Sequence, residues 1–191
     1  MRILLAISAI FSLAACSEDV NVTSSDLQGS SDTVPKVSDA ALTYSFSGNL
    51  RLRRIDYGCA SNIYKTNVGE MVYKRLAFAT KKMFPNAVEA NSGGAKHISI
   101  SIDTMAQTLD GNSGFGRYRV DLGTQLAGTV TASDGSIIKH LDVLGTSVVT
   151  KHDTNCGSLK DQVVETANLA AARLSRDYVE KLSSFEKQPQ P

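Results

Sequence analysis

The chain has 191 residues, 20 of them Lys or Arg against 19 Asp or Glu, with no Trp, six Tyr and six Phe. That length bounds it to one modest domain with flexible ends, and a net charge of +1 gives no footing for nucleic-acid binding. In chain order, Arg2 supplies a positive start, and Ile3 to Leu13 form an apolar and small-residue run closed by Ala14 and Ala15. This is the layout of a secretory signal. At ~1.5 Å per residue, Ile3 to Cys16 would reach only about 21 Å, short of the ~30 Å hydrocarbon core of a bilayer. No later segment is apolar for long enough to span one either.

The four residues Leu13, Ala14, Ala15 and Cys16 resemble the lipobox of bacterial lipoproteins. The resemblance implies that residues 1–15 are a signal peptide removed just before Cys16, and that Cys16 carries the acyl groups, palmitate among them. At ~0.8 kcal/mol per buried methylene, several chains hold a protein on a bilayer far better than one. The other reading is an ordinary secretion signal cleaved after Ala15, which leaves Cys16 as an unpaired thiol. In the best-studied lipoproteins an aspartate after the cysteine retains the protein in the inner membrane. Ser17 therefore implies the outer membrane, facing the periplasm.

Residues 17–40 are dominated by Ser, Asp, Val and Thr without a period that could bury a face. With Cys16 they read as a lipidated N-terminus and flexible tether over residues 16–40, with a typical reach of ~25 to 30 Å. A domain is expected over residues 41–185, and the polar, proline-bearing residues 186–191 read as a disordered tail. Within the domain, Leu42, Tyr44, Phe46, Leu50 and Leu52 alternate with polar residues, which predicts one half-buried strand. Val68, Met71, Val72, Leu76, Ala79 and Met83 recur every three or four residues, opened by Asn67 with Glu70 as a capping pair and stopped by Pro85. They predict an amphipathic helix.

Ile98, Ile100 and Ile102 mark a second strand, and the glycine-rich stretch from Asp110 to Gly116 reads as a loop leading to a third with Tyr118, Val120, Leu122, Leu126 and Val130 on one face. Asp134-Gly135 is a two-residue hairpin signal. A two-residue turn would set Leu126 opposite Val143, Val120 opposite Val149, and Lys139 opposite Val130. A last helix is expected from a Ser158 and Asp161 cap pair, with Val163, Ala167, Ala170, Ala171, Leu174, Tyr178 and Leu182 on one stripe. The expected fold is α+β: a single β-α-β-β-β-α domain, with a mixed four-stranded sheet and two helices packed on one face.

Cys59 follows the end of the first expected strand and Cys156 the end of the fourth, at the same edge of the sheet. In an oxidising compartment this predicts a Cys59–Cys156 disulfide, worth up to ~4 to 5 kcal/mol in the chain-entropy model for a loop of nearly a hundred residues. The competing reading groups Cys59, His152, Asp153 and Cys156 as a metal or thiol-imidazole site, but the spacing matches no strong zinc pattern. No metal ligand and no cofactor is assigned. His97 and His140 stand singly, and the Asp110–Gly116 stretch is not followed by the helix that a phosphate loop needs. Arg51, Arg53 and Arg54 form a candidate interaction cluster for an acidic partner or anionic headgroup. The alternative is a charged face that guards a strand edge, replaceable at a cost within ~0.5 kcal/mol.

The element order is similar to that of small α/β lipoproteins that serve as accessories to envelope transport and surface-assembly machines. The resemblance implies a non-enzymatic module, lipid-anchored, that docks on another envelope protein. A binding domain for an envelope lipid or glycan is the second reading. An enzyme is third, because no nucleophile, base and orienting group can be assembled from the spacing.

Overall fold

A computed structural model describes residues 16–20, 34–59, 62–90, 96–114, 117–135, 137–152 and 156–186. The signal stretch 1–15, residues 21–33 and the tail 187–191 lie outside them. Eight strands and two helices follow in order: β1 Cys16–Val20, β2 Leu42–Phe46, β3 Ile55–Cys59, β4 Asn62–Thr66, α1 Val68–Met83, β5 Ala87–Glu89, β6 His97–Gly114, β7 Arg117–Ser133, β8 Ile138–His152 and α2 Cys156–Glu186.

The main sheet has five strands in the order β5-β2-β6-β7-β8 rather than the expected four, and β1-β4-β3 make a second, three-stranded sheet. The α+β class, the parallel β2–β6 pair and the antiparallel β6-β7-β8 meander agree with the sequence reading. The first expected strand does not run through to Arg53. It ends at Phe46, because Gly48 takes φ 66°, a left-handed conformation that a strand residue cannot adopt, and a 3-10 turn follows at Leu50–Leu52. Leu50 turns into the core while Leu52, expected beside it on the same face, is 71% exposed. Residues Cys16–Val20, inside the stretch read as tether, pair parallel with β4.

Core formation follows the periodicities. Tyr44, Ile98, Ile100, Leu122, Leu126, Val130 and Val143 point to the side covered by both helices, and each is buried there. Helix α1 contributes Val68, Met71, Val72, Leu76, Ala79 and Met83, and α2 its whole expected stripe from Val163 to Leu182. The first turn of α1 lies on the 3-10 turn: Gly69 N–H donates to Arg53 O at 3.0 Å, and a Cβ at Gly69 would fall 2.0 Å from Leu50 O. Asn67 is the N-cap residue, but its side chain makes no capping hydrogen bond to the helix. At the other end Phe84 N–H closes on Thr80 O at 2.8 Å.

The β7–β8 hairpin differs from the expected register by two residues. Ser133 pairs with Ile138, Leu126 with Gly145, Leu122 with Val149 and Val130 with Leu141. The turn is thus four residues long, with Asp134 N–H donating to Ile137 O at 3.2 Å and Ile137 N–H to Asp134 Oδ1 at 2.8 Å. A two-residue slip preserves side-chain parity, so the buried face is unchanged. Its consequence is local: Gly145, rather than Val143, now faces Leu126, and there α2 comes close.

Candidate functional site

The helix-free face of the main sheet is built from alternate residues of four long or medium strands. It carries Thr43 and Ser45 of β2, His97, Ser99 and Ser101 of β6, Thr129 and Thr131 of β7, and His140, Asp142, Leu144, Thr146 and Val148 of β8. His97 sits between two hydroxyls, with Nδ1 2.8 Å from Thr43 Oγ1 and Nε2 3.0 Å from Ser45 Oγ. His140 Nδ1 is 3.0 Å from Thr131 Oγ1. On the margin of this face, Ile138, Leu144 and Val148 are exposed, Val148 by 68%.

β8 ends the sheet, and an unpaired edge normally invites another strand. Here α2 covers its middle. Leu144 N–H donates to Asp177 Oδ2 at 2.9 Å, Arg173 Nη1 donates to Thr146 O at 2.6 Å, and Lys181 Nζ donates to Asp142 O at 2.5 Å. Lys181 also pairs with Asp177 at 2.9 Å. These three residues stand four apart on one row of α2, a spacing visible in the sequence. Farther along, the buried Gln162 donates through Nε2 to Val149 O at 2.6 Å and Val120 O at 3.2 Å. Ser147 Oγ donates to Thr166 O at 2.6 Å. Gly145 admits the helix: a Cβ there would lie 2.2 Å from Ala170 O and 2.6 Å from Leu174 N.

The three arginines do not share one face. Arg51, on the 3-10 turn, stacks 3.8 Å from the Tyr73 ring centroid, hydrogen-bonds the Tyr73 hydroxyl and lies 3.7 Å from Glu89. Tyr73 donates in turn to Glu89 Oε2 at 2.5 Å, and its ring packs 4.7 Å from Phe46. Burial first, then the Glu89 hydrogen bond, pushes the Tyr73 hydroxyl above its ordinary pKa. Burial, reinforced by the nearby Glu89 charge, pushes Tyr44 up to about 12. Arg53 donates to the carbonyls of Ile102 and Asp103, the latter at 3.2 Å, where the β6–β7 register shifts between Ile102 and Thr104. Arg54 pairs with Asp19 at 2.9 Å, joining β1 to the approach of β3. Alternation along a strand, which had placed Arg51 and Arg53 side by side, fails because that strand ends before them.

Cys59 closes β3 and Cys156 opens α2. Tyr64 packs with Leu122, Leu159 and Val163, so the β3–β4 hairpin lies against the first turns of α2 and both cysteines belong to one end of the domain. Their side chains, and hence the expected disulfide, lie outside the described residues. Asp153 does too, whereas His152 is exposed at the end of β8. Among the described residues no group of three His, Cys, Asp or Glu is placed to hold a metal ion. Of the glycine-rich stretch, Asp110 to Gly114 belong to β6 rather than to a loop, while residues 115 and 116 lie outside the described residues. Asp121, on the outer face, is held below the ordinary carboxylate pKa by hydrogen bonds from Thr150 and Arg119.

No family model matches the chain, and no curated protein matches it. Among solved structures it is similar to a minor lipoprotein from Acinetobacter baumannii, at TM-score 0.45 and 10% identity over 82% of this chain and 100% of that one. It is similar also to an uncharacterized protein, at TM-score 0.39 and 10% identity over 87% of this chain and 99% of that one.

Proposed function

We propose that the chain is a bacterial lipoprotein, acylated on Cys16 and held on the periplasmic side of the outer membrane, which acts as a non-enzymatic interaction or accessory module of an envelope complex. The observation that carries this reading is the Leu13-Ala14-Ala15-Cys16 sequence behind a positive, apolar leader. No described helix is long and apolar enough to cross a membrane, so attachment through acyl chains is consistent with the rest of the chain. The margin with Ile138, Leu144 and Val148 offers exposed apolar surface beside a polar sheet face, the mixture that protein interfaces use.

Cysteine placement supports dividing the three residues between two tasks. Cys16 and Cys59 both pair with Asn62, from opposite sides. Two strand spacings of ~4.8 Å separate them, beyond the ~7 Å that a disulfide spans. That separation excludes a Cys16–Cys59 bridge, which is compatible with acylation of Cys16 and a bridge from Cys59 to Cys156.

Membrane fractionation of a Cys16→Ser variant tests the anchor. Release from the membrane, or accumulation of the uncleaved precursor, is expected; a fully processed variant that stays on the membrane would overturn it. For the interaction, a photoreactive residue at Val148 should crosslink one envelope protein, and Leu144→Glu should abolish the product. A lipid retained in native mass spectra, with no crosslinked protein, would favour the ligand-binding alternative instead.

A further inference from the structure

The acylated residue of this reading is not separated from the domain by a linker. Cys16 is itself the first residue of β1, paired with Asn62, and the pairing continues without interruption to Val20 opposite Thr66. Asp19 of the same strand also pairs with Arg54, just before β3. Acyl chains on Cys16 would therefore leave the protein at a fixed place, beside Asn62 at the start of β4.

That place can be located on the whole molecule. Tyr64, two residues from Asn62, packs against Leu122 and Leu159, and Leu122 pairs with Leu109 near the β6–β7 turn. The Asn62 end of β4, the Arg117 end of β7, the His152 end of β8 and the start of α2 thus share one end of the domain. The turn between β7 and β8 lies at the opposite end, with the start of β6, since His97 pairs with Ser133. The 17 residues of β7 separate the two ends by about 55 Å at ~3.3 Å per residue. Ile63, 40% exposed beside Asn62, puts an apolar side chain at the first end.

We propose that the protein rests on its bilayer by this end, with β1 serving as a short, docked stem and not as a flexible leash, so that the β7–β8 turn projects away from the lipid and the long strands stand up from it. The proposal rests on acylation of Cys16. A docked stem fixes the orientation that a flexible chain of the same residues would leave free. The lipid surface is the occupant of this end because the anchor emerges there, next to the exposed Ile63.

The chain has no Trp, so a single Trp reports position without background. The full mature, lipidated protein carrying Ile63→Trp or, separately, Ile138→Trp is reconstituted in phosphatidylethanolamine–phosphatidylglycerol vesicles containing brominated lipid, which quenches Trp on contact. Flotation with the vesicles and the mass of the N-terminal peptide report acylation independently. The expected result is flotation of both variants, strong quenching at position 63 and none at 138. Inserting ten Gly and Ser residues after Cys16 adds about 17 Å of typical reach and should abolish the quenching while flotation persists. Absence of acyl mass and flotation would overturn the reading of Cys16 and this proposal with it. Flotation with no quenching at 63, or with equal quenching at both positions, would overturn the docked orientation alone. Quenching that survives the inserted spacer would likewise show that β1 does not set it.

Discussion

The main-chain N–H of Leu144 donates to Asp177 Oδ2 at 2.9 Å across the outer edge of the main sheet, and Lys181 holds the same carboxylate oxygen at 2.9 Å. A helix side chain thus occupies a hydrogen-bonding position that a neighbouring strand would otherwise take. Asp177→Ala removes the acceptor and frees the edge, so stability should fall by about 1 kcal/mol, the net worth of a typical hydrogen bond. Replacing Arg173, Asp177 and Lys181 together by Ala should add concentration-dependent self-association through β8. Urea unfolding and light scattering after gel filtration measure the two effects. A triple variant that stays monomeric at high concentration would mean that these three side chains are not what protects this edge.

The parts of the fold legible in the sequence were those whose burial writes a period. The α2 stripe from Val163 to Leu182 and the alternation through Ile98, Ile100 and Ile102 are one-sided over many residues, and the structure buries both sets. Ala87–Glu89 is too short to show a period. The β3–β4 hairpin leaves only a weak trace in the sequence: Ile55 and Tyr57 alternate before a cluster of Gly58, Ala60, Ser61 and Asn62. Leu50 and Leu52 misled because the alternation crosses Gly48, whose positive φ ends the strand. The expected placement of Arg51 and Arg53 on one strand face has the same cause, since the strand ends at Phe46. Partners such as Tyr73 for Arg51 and Ile102 for Arg53 depend on tertiary packing, which local spacing does not encode.

Gly145 tests the close approach of α2 to the sheet. Its missing Cβ would meet backbone atoms, Ala170 O and Leu174 N, which cannot rotate away as a flexible side chain could. Gly145→Ala should destabilise by about 1–3 kcal/mol, the usual cost of overpacking, and weaken the Asp177 contact by pushing the helix outward. Amide exchange at Leu144 together with the unfolding midpoint would detect both. An unchanged midpoint would contradict the close packing.

Arg53 should matter more than Arg51. Its guanidinium satisfies the carbonyls of Ile102 and Asp103 at the register shift of β6, and hydrogen bonds from a charged donor are worth about 1.5–3 kcal/mol at their best. Part of that is lost to solvent at this half-buried site, so Arg53→Ser should cost about 1–2 kcal/mol. Arg51→Ser, which removes an exposed cation–π contact, should cost about 0.5–1 kcal/mol. Chemical denaturation of the two single variants decides the order. Equal and negligible effects would restore the view that both are dispensable surface charges.

Alkaline pH should destabilise the protein through its buried tyrosines. Tyr178 is fully enclosed, its hydroxyl 2.7 Å from Thr80 Oγ1. Because Thr80 already donates to Leu76 O at 2.8 Å, Tyr178 is the donor to Thr80. Burial pushes its pKa well above the ordinary 10, and Tyr44 is pushed up to about 12. An unfolded tyrosine ionises near pH 10, so above that pH the unfolded chain sheds protons that the folded chain keeps, and stability falls as pH rises. The contribution is complete below about pH 10 and is lost progressively toward the folded pKa values. Tyr178→Phe should lower stability by about 1 kcal/mol at neutral pH through the lost hydrogen bond, yet flatten the decline between about pH 10 and 12. Urea midpoints measured across that window, for the parent, Tyr178→Phe and the Tyr44→Phe, Tyr178→Phe double variant, test the assignment. A decline as steep in the double variant as in the parent would place the alkaline sensitivity on other groups.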